Sequence, residues 1–151
     1  MLDGNKVNDS REMSRYGKAN GYLLAKRYKL PTYSNFFIVE NEDEVQTLLD
    51  TYKDQRDFCM RADTAIGNIP IGVGRQNGDR KTIFEYMRRI KQRANELGTK
   101  GVAIIYWNNG GFCPTYETDG CFYLDYMTKE KLLIDYIGKG WCIFKSWKCL
   151  S

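Results

Sequence analysis

Gly101–Trp107 reads Gly-Val-Ala-Ile-Ile-Tyr-Trp, a run of seven residues whose only side-chain polar atoms are the tyrosine hydroxyl and the indole nitrogen. Its length and its β-branched and aromatic content predict a strand. Neither face of such a strand can meet water, so it must occupy a central position in a sheet covered on both sides. The remaining elements have to supply those covers.

Several segments suit that task. From about Asp9 to Lys29 the chain reads as a helix, with Asp9 or Ser10 as cap and Tyr16, Leu23, Leu24 and Tyr28 on a shared face; Leu30-Pro31 ends it. Asn35–Glu40 is a buried strand. Asn41 opens a second helix with Glu44 at its third position, a capping-box arrangement, and Val45, Leu48, Leu49 and Tyr52 form its apolar face. Asp57–Asp63 is the next strand, and Ala65–Asp79 is a glycine-rich loop. Arg80–Leu97 is a helix with Ile83, Tyr86, Met87, Ile90, Ala94 and Leu97 as its stripe, and Gly98 sits where a left-handed terminating residue belongs. After the central strand, Asn108–Gly111 reads as a turn, and Phe112–Glu117 pairs with Cys121–Tyr126 as a hairpin across Thr118-Asp119-Gly120. Thr128 caps a last helix to about Ile137, and Trp141–Trp147 is the last strand. The expected order is α-β-α-β-loop-α-β-β-β-α-β, an α/β or α+β chain with a mixed sheet and flanking helices. At 151 residues it suits one domain, residues 1–151.

The chain contains no histidine. That excludes Ser-His-Asp and Cys-His nucleophile pairs, HExxH zinc sites and imidazole pH switches. Any chemistry has to run on carboxylates, Lys, Arg, Tyr, Cys, backbone amides or a borrowed metal. The polar N-terminus and the lack of a long apolar run give a soluble, cytoplasmic reading with no membrane partner. The five cysteines, Cys59, Cys113, Cys121, Cys142 and Cys149, then read as free thiols. The last four could bind a metal only at unusual spacings, with neither a CxxC pair nor a histidine.

The net charge of +4 conceals strong segregation. Residues 1–31 hold seven basic and three acidic groups, residues 40–57 two and seven, and residues 74–100 eight and three. Two candidate sites follow. In the loop, Gly72, Gly74 and Gly78 can bring backbone amides to a phosphate beside the start of a helix, with Arg75, Arg80 and Lys81 adding charge. On the helix itself, Arg88, Arg89, Lys91 and Arg93 lie away from the apolar stripe and could bind nucleic acid or an acidic protein.

A third pattern spans about the first 110 residues. Tyr16-Gly17-Lys18-Ala19-Asn20-Gly21-Tyr22-Leu23, then Leu30-Pro31 ahead of Phe36-Phe37-Ile38-Val39, then Cys59-Met60-Arg61-Ala62-Asp63 before a glycine-rich loop, resembles the opening of ATP-grasp domains of the phosphoenolpyruvate synthase, pyruvate phosphate dikinase and rifampicin phosphotransferase group. In that family a lysine and an arginine at these positions hold ATP phosphates. The resemblance therefore implies phosphate roles for Lys18 and Arg61, ATP and magnesium as cofactors, and one lobe of a normally two-lobed fold. In a compacted version, Glu117 and Asp125 would be the magnesium carboxylates. The expected ligand is a nucleotide or a phosphorylated small molecule, bound without an assigned catalytic residue.

Overall fold

The computed structural model describes residues 1–29, 32–64 and 70–108, together with the backbone of three later strands at 121–126, 132–137 and 145–147. The elements in order are β1 (Leu2–Asp3), α1 (Val7–Met13), α2 (Gly17–Arg27), β2 (Asn35–Val39), α3 (Glu42–Thr51), β3 (Phe58–Thr64), β4 (Gln76–Gly78), α4 (Arg80–Glu96), β5 (Gly101–Trp107), β6 (Cys121–Tyr126), β7 (Leu132–Ile137) and β8 (Lys145–Trp147). They form a five-stranded sheet in the order β1-β2-β5-β3-β4 and a three-stranded sheet in the order β6-β7-β8.

The α+β class and the central place of β5 agree with the sequence. Alternate residues of β5 serve opposite layers. Ala103, Ile105 and Trp107 join Phe37, Phe58 and Met60 under α3 and α4, whereas Val102, Ile104 and Tyr106 join Phe36, Ile38 and Cys59 under α1 and α2. Both faces of GVAIIYW are thus covered by helices.

The expected mixed sheet is instead antiparallel at every neighbouring pair. The reason lies in β5. Strands β2 and β3, joined through α3, run parallel to each other, but β5 inserts between them and pairs antiparallel with both, as in Phe37↔Ile105 and Met60↔Ile105. Local alternation of strand and helix cannot reveal that a later strand will separate the first two.

Other differences are local. The helix read from Asp9 to Lys29 is two helices, because Tyr16 adopts an extended backbone (φ −98°, ψ 126°) and is buried, its hydroxyl donating to Glu40 Oε1 at 3.1 Å. The short strands β1 and β4 were not distinguishable from turn and loop composition. Leu132–Ile137, read as the end of a helix, is a strand, and it is β7 that pairs with Cys121–Tyr126. Its Leu-Leu-Ile-Asp-Tyr-Ile sequence satisfies either period, and cross-strand pairing decides. Lys145–Trp147 is a strand within the expected Trp141–Trp147 segment. The proposed partner Phe112–Glu117 lies outside the described residues.

Two helix signals act as read. Asn41 Oδ1 accepts the Glu44 N–H at 2.9 Å, while Glu44 Oε2 accepts from Glu40 N rather than from Asn41 itself. At the end of α4, Gly98 has φ +63°, and the Thr99 and Gly98 amides donate to the Ala94 and Asn95 carbonyls, a Schellman termination.

Candidate functional site

Strand β3 organises the site through its period of two. Cys59, Arg61 and Asp63 share the face that looks toward α1 and α2, while Met60 and Ala62 look toward α3 and α4. Asp63, 8% exposed, meets the first turn of α2. The N-cap of that helix, Tyr16, provides no side-chain acceptor, and Asp63 does so from across the chain: its Oδ2 accepts the Lys18 N–H at 2.8 Å and its Oδ1 accepts the Thr64 N–H at 2.9 Å. A carboxylate there satisfies an orphan helix donor and complements the positive end of the helix dipole.

The Lys18 side chain folds back to the same place. Its Nζ donates to the Ala62 carbonyl at 2.6 Å and lies 3.9 Å from Asp63 Oδ1, with the side chain still about half exposed. Burial lowers the proton affinity of this amine below that of an ordinary lysine; Asp63 opposes the shift and the Arg61 charge adds to it. Lys18 and Arg61 are therefore electrostatic neighbours on one side of the sheet.

Arg75 reaches the same side of the sheet from the loop. Strand β4 pairs with β3 as Phe58↔Gly78, Cys59↔Asn77 and Met60↔Gln76, and extending that register by one position sets Arg75 opposite Arg61. Its Nη2 donates to Cys59 Sγ at 3.3 Å. Cys59 is fully buried and disulfide-bonded, which corrects the free-thiol reading at that position. The other four cysteines lie where side chains are not described. Cysteine count and compartment cannot identify a pairing that depends on the fold.

The remaining loop residues do not converge on this cluster. Ile71 and Val73 pack into the α3/α4 core, a Cβ on Gly72 (φ +74°) would approach Arg93 Nε at 3.8 Å, and the Gly74 carbonyl accepts from Tyr86 Oη at 2.8 Å. Gly78 is in β4 against Thr82; a Cβ there would come within 2.4 Å of that side chain. The start of α4 already holds a carboxylate, because Asp79 Oδ1 accepts the Thr82 N–H at 2.9 Å and its hydroxyl at 2.7 Å. Thus Lys18 and Arg61 come together and Arg75 shares their side of the sheet at Cys59, whereas Gly72, Gly74, Arg80 and Lys81 belong to the opposite layer and Gly78 to the edge strand.

Arg80 has a different task. Its guanidinium donates to the carbonyls of Leu49 at 2.8 Å, Tyr52 at 3.2 Å, Lys53 at 3.3 Å and Gln55 at 3.4 Å, closing the C-terminal end of α3. Lys81 is exposed and lies 3.9 Å from Glu85. Arg80→Ala should therefore cost about 1–3 kcal/mol of stability, through carbonyls left without their charged donor. Lys81→Ala should stay within about 0.5 kcal/mol. Urea denaturation of the two variants checks this, and equal midpoints would contradict the capping role.

The alternative basic face is largely engaged with its own surroundings. Arg88 Nε pairs with Glu42 at 3.2 Å, Arg93 Nη1 with Glu96 at 2.7 Å, and Arg89 Nη1 donates to Gln76 Oε1 at 2.7 Å while lying over the Tyr86 ring. Lys91 is exposed. Of the suggested magnesium carboxylates, Glu117 lies outside the described residues, and Asp125 is placed by its backbone alone, opposite Leu133 in β6–β7. Among the described residues no cluster of three or more acidic or cysteine side chains could hold a metal ion. No helix among them is long and apolar enough to cross a membrane.

The sequence reading missed Asp63. Its signal was present, since an acid two positions from Arg61 in a strand must share its face. Compared with protein-family models, with curated proteins and with solved structures, the chain finds no match.

Proposed function

We propose that this chain binds the phosphate groups of a nucleotide or another phosphorylated molecule at Lys18 and Arg61, with Arg75 as a further cation on the same side of the sheet. One observation carries the reading: Lys18 from α2 and Arg61 from β3 are close on one side of the sheet beside the Asp63 carboxylate, where Arg61 works against protonation of Lys18, and Arg75 adds a third cation on the same side at Cys59. A phosphate oxyanion would relieve that repulsion and offer acceptors matched to guanidinium forks. The resemblance of the Lys18 and Arg61 segments to ATP-grasp openings points the same way, toward ATP with magnesium as first ligands to try. No residue is assigned a catalytic step, and the function is stated as binding.

The test is thermal stabilisation. ATP at about a hundred times its Kd should stabilise the folded protein by about 2.7 kcal/mol. Lys18→Ala and Arg61→Ala should each abolish the shift, while Lys81→Ala should retain it. Absence of any shift with nucleotides or inorganic triphosphate at millimolar concentration would overturn the reading.

A further inference from the structure

Cys59 is fully buried in β3 and disulfide-bonded, and the groups around its sulfur are more than a cross-link needs. It lies opposite Tyr106 of β5 on one side and Asn77 of β4 on the other. Directly opposite residues in a sheet share a face, and Asn77 Oδ1 is accordingly 3.1 Å from Cys59 Sγ. Arg75, two residues before Asn77, returns to that face, and its Nη2 reaches Sγ at 3.3 Å. The other four cysteines of the chain lie at Cys113 and beyond, so the bond ties the five-stranded sheet to the C-terminal part of the chain.

These two contacts suit a reduced sulfur better than a bridged one. A bridged sulfur carries neither proton nor charge, so it has nothing to donate to the Asn77 oxygen, and for a guanidinium it is a weak acceptor. Arg75 is partly buried, and a desolvated cation gains little from such a contact. Opening the bond changes both terms. A Cys59 thiol can donate to Asn77 Oδ1, and a thiolate makes a charge-assisted pair with Arg75, roughly twice as strong as a neutral hydrogen bond. A contact that strengthens on reduction favours the reduced state by that difference.

We infer that the Cys59 disulfide is an exchangeable bond, opened by a dithiol in the folded protein, with Arg75 holding Cys59 as the departing thiolate. Cys59 is too deeply buried to be attacked itself. The incoming thiolate therefore attacks the partner sulfur, and the electron pair of the S–S bond leaves on Cys59. The second thiol of the reductant loses its proton to solvent, attacks the mixed disulfide and releases the partner cysteine as a thiolate. The dithiol is oxidised by two electrons to its own disulfide, and the protein disulfide becomes two cysteines. The inference is independent of the phosphate reading.

Reduction of the native full chain by millimolar dithiothreitol tests this, with the freed thiols counted by a maleimide gel shift and the cysteine joined to Cys59 identified by digestion without reductant. The wild-type bond should open while the protein stays folded. Arg75→Ala should slow opening about tenfold and require a more reducing mixture of reduced and oxidised dithiothreitol for half-reduction. Arg75→Lys, which keeps the charge, should recover most of the rate. A variant that merely loosened the fold would open faster, so the sign separates the two roles. Arg75→Ala should also lower the melting temperature of the reduced protein more than that of the oxidised protein, whereas a purely structural arginine would lower both alike. The inference is overturned if the bond resists dithiothreitol until the protein unfolds, if Arg75→Ala opens as fast as wild type, or if the mapping finds Cys59 unbridged.

Discussion

Replacing Trp107 by alanine should lower the free energy of unfolding by about 3–5 kcal/mol, the usual range for deleting a large buried aromatic. The indole is 3% exposed at the end of β5 and ties three elements together. Its ring centroid lies 5.4 Å from Phe37 of β2, 5.4 Å edge-on from Phe58 of β3 and 5.1 Å edge-on from Tyr52 at the end of α3. Edge-to-face and offset pairs of this kind add to the area they bury. The cavity would open where α3 closes over the sheet, and neighbouring rings that already contact one another cannot relax far into it. A urea titration should show the midpoint fall with little change in slope. A loss below about 1 kcal/mol would mean that this end of the core collapses around the missing ring.

Asp63 should show effects of opposite sign on stability and on ligand affinity. Asp63→Ala removes the acceptor for the Lys18 and Thr64 amides and should cost about 2–3 kcal/mol. Asp63→Asn keeps one oxygen, for the Lys18 amide, but turns an NH2 donor toward the Thr64 amide and loses the charge that complements the helix dipole, a cost of about 1–2 kcal/mol. In both variants the carboxylate beside Lys18 is gone, so inorganic triphosphate and ATP should bind roughly three- to tenfold more tightly at low salt. Chemical denaturation and calorimetric titration measure the two quantities separately. If Asp63→Asn weakened phosphate binding instead, the carboxylate would be a part of the site, holding Lys18 in place for the ligand.

The layered plan was legible because β5 announces it: a strand apolar on both faces needs helices on both sides, and the stripes of α3 and α4 and the α4 termination at Gly98 were written in the sequence. The topology was not, because pairing of β5 between β2 and β3 is a long-range choice among apolar strands that all have compatible faces. The ends of helices were least legible where tertiary groups replace local caps. Asp63 caps α2 from β3, and Arg80 closes α3 from the start of α4. For the same reason, a loop rich in glycine and arginine looked like one phosphate cradle. Strand β4 divides it, sending Arg75 to one layer and Arg80 to the other.

The position of β5 also bears on how the sheet comes into being. Its two neighbours end at Val39 and Thr64, yet neither can find its main partner until residues 101–107 exist. As the chain leaves the ribosome, β2 and β3 emerge with helix α3 between them and with the edges that later face β5 still unsatisfied. Closing the sheet requires two long loops to be brought together in one event, at an entropic cost that local helix formation does not share. The strand that completes the core on both faces is therefore also the one that sets the earliest moment at which these layers can become a stable unit.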